Sequence, residues 1–145
     1  MSDNALQDGR DFVVTVTIIV ADIARSVAFY RDVLGASVVR EGEPTFLRLK
    51  NVWLTINLGG GAPTDDKREV TVAPPKDPNV LSSFLNLRVS DIAHCYELWR
   101  SRGAKFITAP KKHATEYRCY MRDPDGYLIE VGQTTMTATP LELYN

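Results

Sequence analysis

The chain has 145 residues and a formal net charge of −1, with hydrophobic residues at 44% and charged residues at 24%. That length suits one compact domain with a substantial core. The balanced charge excludes the strongly basic surface that nucleic acid requires, and no segment approaches the roughly twenty apolar residues of a membrane span.

Residues 1–11 are polar and partly acidic, unlike a secretory signal, and read as a tail. A first module is expected over 12–58. Val16, Ile18 and Val20 alternate with Thr15, Thr17 and Ile19, the period of a strand with one packed face. Asp22 stands where a helix N-cap belongs, and Val27, Tyr30 and Leu34 follow helical spacing up to Gly35, a C-terminal stop. Strands are expected at Ser37–Arg40, Thr45–Leu49 and Val52–Leu58, the last two joined by Lys50-Asn51. Residues 59–79, rich in Gly, Pro and charge, read as a linker with a short strand at 70–72.

A second module is expected over 80–134, because the first repeats there. Val20-Ala21-Asp22-Ile23-Ala24 recurs as Val89-Ser90-Asp91-Ile92-Ala93, an offset of 69 residues. Leu85, Leu87 and Val89 repeat the apolar strand positions, Tyr96 and Trp99 repeat Val27 and Tyr30, and Gly103 repeats Gly35. Strands follow at 105–108, Glu116–Arg122 and 127–133, the last two joined by the strong turn Asp123-Pro124-Asp125-Gly126. Residues 135–145 read as a second tail. Cys95 and Cys119 lie in no zinc or Cys-x-x-Cys spacing and read as reduced thiols of a cytoplasmic protein.

With these residues in view, the chain resembles the vicinal oxygen chelate superfamily of glyoxalases, bleomycin-resistance proteins and extradiol dioxygenases. The likeness is carried by Phe29-Tyr30-Arg31-Asp32-Val33-Leu34-Gly35 and by Asp123-Pro124-Asp125-Gly126 with Ile129-Glu130. It implies an α+β fold of two tandem βαβββ modules whose curved mixed sheets enclose a cavity, and it implies a homodimer. Alternation assigns Thr15, Thr17 and Ile19, then Phe84, Asn86 and Arg88, then Leu128, Glu130 and Gly132 to the cavity face. The strand through Arg118 and Tyr120 carries large side chains on both faces, and its parity stays open.

Metal-dependent members of that superfamily hold a divalent ion with side chains from the first and last strand of each module. The first-strand ligand lies seven residues before the capping aspartate, which here means Thr15 and Phe84. The last strand of the first module offers Thr55 or Asn57, and only Glu130 matches. The implied metal chemistry therefore lacks its donors, and no cofactor is expected.

The leading expectation is metal-independent binding of a small organic molecule by Thr15, Thr17, Phe84, Asn86, Arg88, His113 and Glu130, with Glu130 as the candidate general base. Arg88 is read either as a fork for a ligand anion or as the partner of Glu130. His94 is read as solvent-facing, and His113 as a loop residue at the cavity rim. Two alternatives accompany this. One is a glyoxalase-type lyase, isomerase or dioxygenase with atypical ligands such as His113 and Glu116. The other is a dimeric interaction module whose pocket is filled by Phe84, Trp53 or Tyr120.

Overall fold

The computed structural model describes residues 11–60 and 69–135. Most of both expected tails and the centre of the expected linker lie outside the described residues. The elements are β1 (Thr15–Val20), α1 (Ile23–Ala28), β2 (Ser37–Arg40), β3 (Thr45–Leu49), β4 (Val52–Leu58), β5 (Leu85–Arg88), α2 (Ile92–Ser101), β6 (Lys105–Lys112), β7 (Glu116–Arg122) and β8 (Leu128–Thr134). They form two four-stranded sheets ordered β1-β4-β3-β2 and β5-β8-β7-β6. In each, the first strand runs parallel to the last and the other pairings are antiparallel. The fold is thus α+β, built from two βαβββ modules.

Both helices start as the repeat predicts. The Asp22 carboxylate accepts the Arg25 N–H and that of Asp91 accepts the His94 N–H, each at 3.0 Å. These bonds satisfy donors that have no partner inside the helix. Gly35 and Gly103 take φ of 82° and 99° just after the helical segments, where a side chain would be strained. The first helical segment differs from expectation in one respect. After Ala28 it widens into a π-helical stretch, Phe29–Val33, in which Tyr30 is fully buried.

The core lies between each sheet and its helix. Ile18, Val20, Leu47, Leu54 and Ile56 are buried in the first module, and Cys119, Met121, Ile129 and Val131 in the second. Burial of Cys119 pushes its thiol up to about 11, so the thiol stays protonated at neutral pH. Val16, near the start of β1, shares the helix-facing parity of Ile18 but remains exposed. His94 is exposed, as expected.

Two strand expectations change. β6 extends to Lys112 rather than stopping at residue 108, with register shifts on either side of Thr108. It tolerates Pro110 because it is an edge strand, where a missing N–H costs no ladder bond on the free side. Residues 70–72 form no strand; instead the Gly60 N–H donates to the Val72 carbonyl at 2.9 Å.

The two modules are joined through the Asp123–Tyr127 turn. Asp123 Oδ1 accepts the N–H groups of Asp125 and Tyr127, both at 2.9 Å, which closes the turn. Its other oxygen accepts the Tyr30 hydroxyl at 2.8 Å. The Asp125 carboxylate accepts the Ala21 N–H, the Ser26 hydroxyl and Arg25 Nη2 at 2.8, 3.1 and 3.1 Å. The Tyr127 hydroxyl donates to the Ile19 carbonyl at 2.8 Å. Arg102, at the C-terminal end of α2, donates to the Val33 carbonyl at 3.1 Å. Module two thereby holds both ends of the first module's helical segment.

Burial raises the Asp123 carboxyl above the ordinary range, although the bonds from Tyr30, Tyr127 and Asp125 oppose the shift. The folded state therefore holds that proton to higher pH than the unfolded chain. This one group makes stability fall as pH rises between those two values. Replacing Tyr30 by Phe removes one donor from a buried carboxylate and leaves the ring in place. Tyr30→Phe is expected to cost about 1–3 kcal/mol in urea unfolding. An unchanged midpoint would show that this bond does not hold the modules together.

Candidate functional site

A cavity of about 220 Å³ lies at the seam between the modules. β1 contributes Val16, Thr17 and Ile18, β5 and the approach to it contribute Ser83, Phe84 and Leu85, and β8 contributes Leu128 and Ile129, with Tyr30 and Tyr127 beside them, so residues of both strand faces line the space. No lining side chain is charged. The cavity exists because β1 and β5 each end a sheet, so each carries one unpaired edge.

Strand register orders the rest of the face. Thr15 stands opposite Trp53 and Thr17 opposite Thr55, whereas Asn86 stands opposite Glu130 and Arg88 opposite Gly132. Thr55 is thus the first-module counterpart of Glu130, which settles the choice between Thr55 and Asn57. Tyr120 pairs with Glu130 and Arg118 with Gly132, so Glu116, Arg118, Tyr120 and Arg122 share the Glu130 face. Tyr117, Cys119 and Met121 take the opposite parity, with Cys119 and Met121 fully buried. Cys119 and Met121, two apolar residues spaced by two, were the available sign of this parity.

The expected site residues fall into three groups along this surface. Thr17 and Phe84 line the cavity. Asn86 and Glu130 occupy the next rung. Arg88 lies farther along, and His113 sits beyond it in the β6–β7 connection, where its N–H donates to the Glu116 carbonyl at 2.7 Å. At about 3.3 Å per strand residue, the Thr134 end of β8 is about 20 Å from Leu128. His113 therefore borders the end of the sheet remote from the cavity, not its rim. Thr15 stands at the start of β1 and does not line the cavity.

Arg88 does not pair with Glu130. Its Nη2 donates to Glu116 Oε2 at 2.7 Å and to the Thr134 hydroxyl at 3.0 Å. Arg118 Nη1 donates to the other Glu116 oxygen at 3.0 Å. Gly132 permits this crossing: its backbone lies directly under the Arg88 guanidinium, where a Cβ would collide with Arg88. Burial raises the Glu116 carboxyl, but the bonds from Arg88 and Arg118 outweigh it and hold the group below the ordinary range. Glu130, 8% exposed, accepts no hydrogen bond among the described residues; Arg118 Nε approaches to 3.7 Å and is itself buried without a partner. On the first module's face, the Arg48 guanidinium stacks 5.1 Å from the Trp53 ring centre.

A family model described as Glyoxalase/Bleomycin resistance protein/Dioxygenase superfamily matches residues 13–131. The chain belongs to this superfamily. A probable lactoylglutathione lyase of Synechocystis is 27% identical over 146 aligned residues, covering 86% of this chain and 96% of the relative. A metallothiol transferase FosB of Staphylococcus epidermidis is 44% identical over 43 residues, 29% of this chain and 31% of that protein. The crystal structure of a glyoxalase/bleomycin resistance protein/dioxygenase from Nocardioides superposes with a TM-score of 0.68 at 22% identity, covering 90% of this chain and 88% of that one.

As a member of this superfamily the chain has an unsuitable donor set for a divalent ion. The four corresponding positions hold Thr15, Thr55, Phe84 and Glu130. A phenyl ring donates nothing, and threonine hydroxyls are weak ligands beside imidazole, thiolate or carboxylate. The alternative pair is also poorly placed, since both Glu116 oxygens already bind arginine. Among the described residues no three His, Cys, Asp or Glu side chains converge as a metal group.

Glu116→Gln should destabilise the chain at neutral pH by about 1.5–3 kcal/mol, because two arginines lose a charged partner. Glu116 contributes stability that is present above its unfolded value and lost as pH falls through its lower folded value. The variant's acid unfolding curve should therefore be flatter than wild type in that window, and parallel curves would contradict the assignment. Gly132→Ala should displace Arg88 and cost about 1–3 kcal/mol by overpacking, measured by the same unfolding titration.

Proposed function

We propose that this protein binds a small organic molecule in the seam cavity without a metal ion. The observation that carries the reading is the identity of the wall. Apolar and hydroxyl side chains line a space between two modules, and Phe84 stands on that wall where the superfamily pattern would place a metal ligand. A pocket of mainly apolar surface with few polar groups is the usual form of a small-molecule site. Phe84 is 48% exposed and leaves the cavity open, and Trp53 is engaged by Arg48, which supports a working pocket over a filled one.

Thr17 and Phe84 contact the ligand in this reading, and Asn86 and Glu130 supply polar groups on the adjoining rung. Glu130 is the group available to accept a proton should the ligand be transformed. Thr15, Arg88 and His113 serve the surrounding structure. The names of the relatives, lyase and metallothiol transferase, describe proteins whose corresponding residues need not match these.

The chain also acts as a homodimer in the cytoplasm in this reading. Phe12, Val13 and Val14 before β1, and Val80 and Leu81 before β5, are exposed apolar residues leading into two open strand edges. No helix among the described residues is long and apolar enough to cross a membrane.

Native mass spectrometry with elemental analysis of the purified chain tests these points together. The expected result is a dimer with substoichiometric metal, and a co-purified organic mass that is lost in Phe84→Ala. A stoichiometric divalent ion that disappears in Glu130→Gln would overturn the metal-free reading. A chain that stays monomeric at its highest soluble concentration would overturn the dimer.

A further inference from the structure

Arg48 and Arg122 occupy equivalent positions in the two modules. Phe46 pairs with Thr55 as Tyr120 pairs with Glu130, and two residues along the same strands Arg48 pairs with Trp53 as Arg122 pairs with Leu128. Both arginines lie on the sheet face turned away from the helix, yet their surroundings differ. The Arg122 guanidinium is surrounded by oxygen. Its Nη1 donates to the Pro78 and Gly126 carbonyls at 2.6 and 2.9 Å, and its Nη2 donates to Asn79 Oδ1 at 2.9 Å. Arg48 donates through Nε to the Lys50 carbonyl at 3.1 Å, and its terminal nitrogens donate to no acceptor among the described residues.

We propose that Arg48 anchors an oxyanion site on this open face of the first sheet, where its terminal nitrogens take the oxygens of a carboxylate or phosphate group carried by a small molecule. The site is separate from the seam cavity, whose lining includes neither Arg48 nor Trp53.

The fork is held in position before any ligand arrives. Nε is tied to the backbone at Lys50, and Cζ lies 5.1 Å from the Trp53 ring centre. Stacking on the ring leaves the edge formed by the two terminal nitrogens available, and that edge matches a pair of oxygens. An arginine already fixed at two points loses less rotamer freedom on binding than a free one.

The sign of the ligand follows from the strands. β1, β2, β3 and β4 contain no Asp or Glu. Arg40 stands opposite Phe46, on the rung beside Arg48, and neither arginine forms an ion pair among the described residues. On the second sheet Arg88 and Arg118 already share Glu116. An anion at Arg48 therefore meets uncompensated positive charge and displaces no protein bond. Ser37, opposite Arg48, and Thr15, opposite Trp53, place hydroxyl donors on the same rung. A chain of net charge −1 offers a long polyanion little beyond this face, so the ligand is a small molecule.

Inorganic phosphate, acetate and methylammonium, each titrated into the full chain by NMR at constant ionic strength, test the site. Phosphate or acetate should give saturable shifts of the Trp53 indole and Ser37 amide resonances, and the tighter of the two names the group. Methylammonium should leave those resonances in place. Arg48→Lys keeps the charge but loses the fork, and should weaken the tighter anion about tenfold. Arg48→Gln should abolish the saturable shifts. Both variants should retain the wild-type Phe84 and Leu128 resonances, which report an intact second module and seam. Absence of saturable shifts at Trp53 with both anions would overturn the proposal. So would shifts confined to Lys105 and Lys111, or anion binding at Trp53 that survives Arg48→Gln. None of these outcomes touches the seam cavity, which rests on other residues.

Discussion

The Tyr30 hydroxyl and the Asp123 carboxylate meet in a fully enclosed contact between the two halves of the chain, and the positions of the surrounding groups depend on it. A carboxylate that deep is costly unless its oxygens are occupied. Asp123 spends one oxygen on its own turn and the other on Tyr30, and Asp125 beside it binds the first turn of α1. One tight turn thus does two things. It reverses the chain between β7 and β8, and it holds the first module's helical segment against the second module. The burial that raises Asp123 is the cost of that arrangement, and it makes the neutral acid the favoured folded form toward lower pH.

Fixing the modules in this way leaves β1 and β5 as open edges with space between them. The seam cavity is a product of that placement and not of any one strand. Its rear wall includes Tyr30 and Tyr127, two residues of the same inter-module contact. The cavity and the module contact are therefore physically adjacent, and any molecule in the seam would touch both modules at once. Such a ligand would stabilise the assembled pair relative to any state in which the modules separate.

Beyond the cavity the second sheet carries an alternating series of charges, Arg88, Glu116, Arg118 and Glu130. Arg88 and Arg118 each donate to one oxygen of Glu116, with Gly132 supplying the space for Arg88 to cross β8. Among the described residues Glu130 is the member that accepts no hydrogen bond. Its nearest charged neighbour is Arg118, whose Nε lies 3.7 Å from Glu130 Oε1.

Much of the fold could be read from residue order alone, because its causes are local. The doubled Val-x-Asp-Ile-Ala pattern located both helix starts, since a carboxylate cap acts within three residues of itself. Period-two alternation placed Thr17, Phe84, Asn86 and Glu130 on one kind of face, since side-chain direction in a strand is a property of the backbone. Counting back from Asp22 and Asp91 reaches Thr15 and Phe84 by the same local rule. What residue order could not supply was anything set by contacts across the chain. The partner of Arg88 is Glu116 because β7 lies beside β8, and the strand through Arg118 had no parity until that pairing existed. His113 lies at the wrong end of the sheet for the cavity, a matter of register and not of composition. Asp123-Pro124-Asp125-Gly126 was legible as a turn, but its two carboxylates bind residues about a hundred positions away. Only the tertiary structure brings those groups within bonding distance, and so only it decides where the modules meet and what space remains between them.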